Sequence, residues 1–432
     1  MKDQINLFLF WYFGTIASGQ PLVDDPTFFG PERHTDPVIQ AENTFLKSFC
    51  FKSTAALEQT EGLEIWKRHS NLTGDEAADF GRKLWVIFRQ AMKENDRVVV
   101  QNAENRITLG GDQIDYTLSK FGMPRKFGWP LTISLHGGGD VPEHENDEQW
   151  RIQQVRHTPN GLLLCPRMPK DTWDAWQTDE SLAMIDELIR RMLVFHKVDP
   201  NSVYLTGFSA GGYAGFVYGA KLADRFAAIS SSGGAPSPRM NPAPNFRNTP
   251  FLFQIGENDT QYGRLKLCRD FRKQLELLKR QDTGGFTFGY REHAGKKHNI
   301  DDTDAIAWMH KHRRNPHPDR IQWELSDSRQ KERFWLGIDR PKSGQKVSAS
   351  IAGNIIRVET ENVHRLKIRL NDTLIDLDQP VHIQANGKTL FSGMLTRNLY
   401  TMVQTLRERG DYNFIFPVET VVEIPDDLTA TP

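Results

Sequence analysis

The sequence predicts an α/β protein: a mostly parallel sheet with helices on both faces, followed by a small all-β unit. Two patterns predict this. From about residue 97 to residue 317, short apolar runs at Leu131–Leu135, Leu162–Cys165, Val203–Thr206, Ala227–Ser230, Phe251–Ile255 and Phe286–Tyr290 alternate with helix-period stretches at Ser181–Val194, Gly211–Ala223 and Gly263–Lys279. Strands joined by helical crossovers at this spacing make a parallel sheet. Past the break Asn315-Pro316-His317-Pro318 the period changes to two, in Lys346–Ser350, Ile355–Thr360, Leu366–Leu370 and Val381–Gln384, with Asn386-Gly387 as a type I′ turn signal. That pattern reads as a sandwich-like unit over 318–432.

The elements follow in chain order. Residues 1–19 carry Lys2, an apolar segment from Ile5 to Ile16, and small residues at Ala17, Ser18 and Gly19. This fits a secretory signal peptide and predicts an exported protein, secreted or periplasmic; the other reading is an apolar arm packed on the body. Residues 20–96 form an N-terminal wrapping and helical segment: 20–62 is Pro-rich and irregular, and Asn71–Asn95 places Ala77, Phe80, Leu84, Phe88 and Met92 at helical spacing behind the start signals Thr73, Gly74 and Asp75. Val98–Val100 reads as the first short strand of the unit 97–317.

Composition excludes several classes. With 54 Lys plus Arg against 55 Asp plus Glu, the formal net charge is -1, so nothing favours an electrostatic search for nucleic acid. After residue 20 no stretch approaches the roughly 20 apolar residues that span a bilayer, so no integral membrane span is expected. The 26 Phe, 10 Trp and 9 Tyr give far more burial than a disordered chain carries. Cys50, Cys165 and Cys268 are too few and scattered for a disulfide framework and offer no zinc-ligand spacing, so neither metal nor cofactor is expected. Cys165, inside an apolar run, reads as a small core residue.

Four segments carry chemistry. Ser202–Gly212, SVYLTGFSAGG, sets Gly207, Ser209 and Gly211 in a G-x-S-x-G pattern between an apolar strand and a helix. A serine on that sharp turn has its hydroxyl pushed out above the sheet, and the helix aims its first amides, beginning with that of Ala210, at a developing negative charge. His136-Gly137-Gly138-Gly139 ends the strand Leu131–Leu135, and its glycine amides can face an oxyanion. An activated serine needs a base, and the base a carboxylate to orient it. The strand Phe251–Ile255 leads to Gly256-Glu257-Asn258-Asp259, where Asp259, past the Gly256 turn, is preferred to Glu257. The strand Phe286–Tyr290 leads to a loop with His293 and His298; His298 is preferred, just before a helix expected near Asp301–Asp304. His310 and His312 read as surface residues.

Together, His136–Gly139, Asp199–Gly212, Gly256–Asp259 and the loop at His298 resemble the α/β-hydrolase superfamily over about Gly128–His312. The closest likeness is to secreted bacterial esterases of the polyhydroxybutyrate-depolymerase-like group, related to prolyl-oligopeptidase-type peptidases, some with a β-rich C-terminal extension. The resemblance implies Ser209 as nucleophile, His298 as base, Asp259 as its orienting acid, and the amides of Gly137, Gly138 and Ala210 as the oxyanion hole. It implies a small or polymeric ester as substrate. Phe208 stands where the hormone-sensitive-lipase branch carries an acidic residue. Trp173 and Trp176, with Phe208, are candidates to line a substrate pocket, and Asp140–Trp150 reads as an acidic surface loop. The alternatives are a prolyl-oligopeptidase-type peptidase, for which too few residues precede the hydrolase unit to build a propeller, and a non-catalytic carbohydrate-binding protein.

Overall fold

The computed structural model describes residues 43–48 and 65–429; the apolar segment at 1–19, most of the Pro-rich stretch 20–62 and Cys50 lie outside the described residues. Helix α1, Gly74–Lys93, starts at a reciprocal cap in which Thr73 accepts from Glu76 N and the Glu76 carboxylate accepts from Thr73 N at 2.8 Å. It buries Ala77, Leu84, Phe88 and Met92, as the spacing predicts. Helix α2, Asp96–Ala103, replaces the strand expected at Val98–Val100. Asn95 Oδ1 accepts from Val98 N at 3.1 Å, which starts a helix despite the β-branched run; Val98 is then buried while Val99 and Val100 point to solvent.

There follow β1 (Arg106–Leu109), β2 (Asp112–Phe121), β3 (Trp129–Leu135), α3 (Glu143–Arg156), β4 (Gly161–Pro166), α4 (Asp179–Phe195), β5 (Val198–Phe208), α5 (Ala210–Lys221), β6 (Ala228–Ser232), β7 (Phe251–Gly256), α6 (Arg264–Gln281), β8 (Phe288–His293) and α7 (Ala305–Met309). The strands form one eight-stranded sheet in the order β1-β2-β4-β3-β5-β6-β7-β8. The ladders β1/β2 and β2/β4 are antiparallel and the rest parallel, the mostly parallel sheet that the sequence pattern predicts. Leu131, Ile133, Leu135, Leu162, Leu164, Val203 and Leu205 are shut off from solvent, as strands covered on both faces require. The parallel strands from β4 to β8 all present their carboxyl ends to one edge of the sheet, and the G-x-S-x-G turn lies there.

The segment read as an acidic loop, Asp140–Trp150, is mostly the first half of α3. Its inward residues are polar: Asn146 and Gln153 are buried, so no apolar stripe announces the helix.

Two further sheets complete the chain. β9 (Arg320–Glu324), β12 (Lys346–Ala352), β13 (Ile355–Glu361), β15 (Val381–Ala385) and β16 (Lys388–Gly393) make one; β10 (Glu332–Arg333), β11 (Leu336–Gly337), β14 (Arg365–Leu370) and β17 (Val418–Glu423) make the other. The β15–β16 hairpin turns through Asn386 at φ 47° and Gly387 at φ 82°, the positive angles of a type I′ turn. In the chain between β16 and β17, a helix the alternation did not predict, α8 (Leu399–Arg409), is capped by Asn398 and ended by the left-handed Gly410. Leu399, Met402, Val403 and Leu406 join the core of the large sheet and not that of the β extension.

Buried ions fasten this extension to the rest. Arg409 of α8 meets Asp224 at 2.7 Å, Arg314 meets Asp411 at 2.7 Å, and Phe334 N donates to Asp224 Oδ2 at 2.9 Å. Burial alone would push Asp224 toward its neutral acid, but Arg409 and Arg225 hold it below the usual carboxylate range. Removing one partner of such a pair strands the other charge in a dry environment, at a cost of about 3–5 kcal/mol. Arg409→Met is therefore expected to lose about that much stability in urea unfolding; a loss under about 1 kcal/mol would show that the seam does not depend on this pair.

Candidate active site

The turn from β5 to α5 forces the serine out. Ser209 has φ 56° and ψ −114°, a conformation that costs a non-glycine residue about 1–3 kcal/mol. Its amide donates to Ser232 O at 2.9 Å and its carbonyl accepts from Tyr213 N at 2.9 Å. A Cβ on Gly211 would lie 2.2 Å from Leu135 O, so only glycine lets α5 pack this closely on β3.

His298 stands over the serine. Its Nε2 is 2.9 Å from Ser209 Oγ and its Nδ1 is 2.7 Å from Asp259 Oδ2. A carboxylate only accepts, so Nδ1 carries the proton and Nε2 is left to accept from the serine hydroxyl. The two loops meet because backbone packs on backbone: Asn258 N donates to Lys296 O at 2.8 Å, and a Cβ on Gly256 would lie 1.9 Å from Lys297 O. The competing residues point elsewhere. Glu257 accepts from Gly295 N at 2.8 Å, and His293 Nε2 lies 3.0 Å from Gln254 Oε1.

The glycine loop lies against the serine: a Cβ on Gly137 would be 3.0 Å from Ser209 Cβ. Two side chains hold the loop. His136 is buried, accepts at Nε2 from Met168 N at 3.0 Å, and places Nδ1 2.6 Å from Gly137 O. Burial keeps it neutral, lowering it to about 4. Asn146, at the start of α3, accepts from Gly139 N and donates to Gly139 O, both at 3.0 Å, and donates to Asp171 at 2.9 Å. Gly138 and Gly139 have φ 129° and 152°, and a Cβ on Gly138 would strike Asn146 Oδ1 at 2.1 Å. The amide of Ala210, first in α5, has no intrahelical acceptor.

Of the pocket candidates, Trp173 is 52% exposed and packs edge-on with Tyr213 at 6.3 Å. Trp176 does not line an opening: it is fully buried behind the loop, donating to His136 O at 3.1 Å. Phe208 lies beside His298, ring centres 5.4 Å apart, and carries the Arg156 guanidinium on its other contact at 4.3 Å. Arg156 also donates to Asp302 at 2.8 Å and to Ile300 O at 3.1 Å, bracing the segment after His298. Asn146, Arg156 and Tyr213 escaped sequence reading because each is an ordinary polar or charged residue within a helix. None of them left a trace in the apolar periodicity.

Cys165 is a core residue whose thiol burial pushes up to about 12. His310 is not a surface residue: it stacks on Tyr204 at 4.4 Å and sits 3.1 Å from Thr132 Oγ1. Among the described residues no three His, Cys, Asp or Glu side chains are grouped to hold a metal ion, and no helix is long and apolar enough to cross a membrane.

No family model matches the chain. A bifunctional acetylxylan esterase/xylanase of Neocallimastix patriciarum is 25% identical over 161 residues, a match spanning 36% of this chain and 23% of that protein. Among solved structures, a thermostable esterase is 20% identical with a TM-score of 0.38, over 48% of this chain and 62% of that one. An acetyl xylan esterase from Aspergillus awamori is 14% identical with a TM-score of 0.35, over 47% of this chain and 97% of that one. A phospholipase/carboxylesterase from Dyadobacter fermentans is 16% identical with a TM-score of 0.33, over 48% of this chain and 97% of that one.

His136, His310 and His317 are all lowered by burial from 6.5 to about 4. Between those values the unfolded chain binds protons that the folded chain refuses, so stability is complete above pH 6.5 and falls as pH drops toward 4. Calorimetry is expected to show Tm declining across this window, with a shallower decline in His310→Gln. A Tm slope unchanged by that substitution would contradict the assignment.

Proposed function

We propose that the protein is a serine hydrolase that cleaves carboxylic esters through an acyl-enzyme, and an exported one on the strength of its apolar segment at residues 5–16. The observation that carries this reading is the hydrogen-bonded chain Ser209–His298–Asp259, at 2.9 and 2.7 Å, built on a strained strand-to-helix turn. Ser209 Oγ attacks the ester carbonyl as its proton passes to His298 Nε2. Negative charge gathers on the carbonyl oxygen, which the amides of Gly137, Gly138 and Ala210 face. His298 then gives its proton to the leaving alkoxide, releasing the alcohol. A water molecule, deprotonated by His298, attacks the acyl-serine, and the serine recovers its proton as the acid leaves. Asp259 holds Nδ1–H throughout and stabilises the imidazolium.

Asn146 acts at one remove. By bonding both the amide and the carbonyl of Gly139, it keeps the glycine loop in one conformation, so the oxyanion donors need no reorganisation as charge develops. The relative from Neocallimastix patriciarum is named as a bifunctional acetylxylan esterase/xylanase, which makes acetylated xylan the first natural ester to try.

Ser209→Ala is expected to abolish release of nitrophenol from short-chain nitrophenyl esters, by about 10⁴-fold or more, with a proline-containing peptide amide untouched by either protein. Hydrolysis persisting in Ser209→Ala would remove the serine from the mechanism, and serine-dependent cleavage of the amide would turn the reading toward a peptidase. Asn146→Ala is expected to lower kcat by about 10–100-fold with KM nearly constant; an unchanged kcat would mean the loop holds its shape without it.

A further inference from the structure

We infer that Arg264 is a positioning residue of the proposed reaction, one that sets the acid limit of the activity by sharing the charge of Asp259 with His298. This rests on the ester-hydrolase reading above. Asp259 has two oxygens and two partners. Oδ2 faces His298 Nδ1 at 2.7 Å, while Oδ1 accepts from Arg264 Nε at 3.0 Å and Nη2 at 2.6 Å. Both members of the ion pair are buried, with side chains 2% and 6% exposed.

The guanidinium is fixed from several sides. Arg264 is the first residue of α6, and Leu265 N donates back to Asp259 O at 3.3 Å. Tyr213, on the first turn of the helix that Ser209 begins, lies near the same guanidinium, whose charge works against the burial that raises the phenol. The Tyr262 ring lies 5.3 Å from it. Tyr262 itself is held at φ 55° while 76% exposed, a backbone conformation that a tyrosine seldom adopts. Arg264 thus links the acid loop to the nucleophile helix.

The electrostatic consequence follows from Coulomb's law. A carboxylate bonded only to histidine stabilises the imidazolium fully; one that also neutralises a guanidinium presents His298 with a nearly neutral pair. Removing the guanidinium would leave the whole carboxylate charge facing the imidazolium that forms in the reaction. The other charged or titratable groups around His298 do not duplicate this. Lys296 and Lys297 on its own loop are exposed, as are Glu257 and Asp301, and water screens them. Arg156, across the Phe208 ring, is paired with Asp302 at 2.8 Å. Cys268 keeps its proton, with burial pushing its thiol up to about 12. Arg264 is the cation in direct contact with the acid.

The test is kcat/KM against pH on a short-chain nitrophenyl ester, with the product acid quantified chromatographically, for the native chain, Arg264→Gln, Arg264→Lys and the Ser209→Ala blank. In Arg264→Gln the acid limb is expected to move up by about one pH unit, so the loss is roughly tenfold greater below the limb than on the plateau. Arg264→Lys, which keeps the charge, retains the native limb. A limb shared by Arg264→Gln and the native chain, or a loss equal at every pH, would overturn the inference and leave Arg264 as a mere brace. If Arg264→Gln does not fold, judged by circular dichroism, Arg264→Met decides in its place: losing the charge must move the limb the same way, and an unmoved limb overturns the inference. A native chain with no Ser209-dependent hydrolysis defeats the ester-hydrolase reading and this inference together, whereas an active native chain with an unmoved limb defeats this inference alone.

Discussion

The close packing of the helix α5 on the sheet is the constraint from which the candidate site follows. The helix must begin one residue after β5 ends, and a backbone making that turn has no relaxed route. The misfit falls on Ser209, at φ 56°. The surrounding backbone holds it there: Gly211 fits against Leu135 O and Gly212 against Ser232 O, at distances where any side chain would collide. One strained residue is tolerable because many packed residues on both sides cannot relax independently of one another. The hydroxyl consequently stands clear of the sheet, where a histidine from a distant loop can reach it.

Arginine side chains complete what the backbone begins. Arg264 fixes the acid, and Arg156 fixes the Phe208 ring and the segment after His298. Arg333, fully buried, donates to Ala220 O at 3.0 Å near the far end of α5. Cations belong at a helix C-terminus, where unpaired carbonyls accumulate negative charge. The β extension therefore touches the helix that starts at Ser209, and Arg409 and Phe334 tie its backbone and side chains to Asp224 just beyond. In each case a planar guanidinium satisfies several acceptors at once, which a lysine cannot do with the same geometry. The extension is thereby part of the scaffold behind the site, besides anything it does on its own surface.

The sequence by itself determined the strand and helix alternation, the strand-to-helix turn at Ser209, the glycine loop and the two loops holding acid and histidine. These were legible because each depends on local rules: apolar periodicity, glycine at turns, small residues beside a strained serine. It also kept Asp259 with Glu257, and His298 with His293, as neighbouring candidates, since residues two to five apart in one loop differ only in where the loop turns. Tertiary structure decided which of them meet, because Gly256 packs on Lys297 and turns Asp259 and His298 toward one another while Glu257 and His293 bond elsewhere. It also decided that Val98–Val100 joins a helix, where a single capping asparagine outweighs three β-branched residues, and that Trp176 is core. The roles of Asn146, Arg156 and Arg264 could come only from the fold. Each is a polar side chain whose partner lies elsewhere in the chain or beyond a turn, and no periodicity records a hydrogen bond made across space.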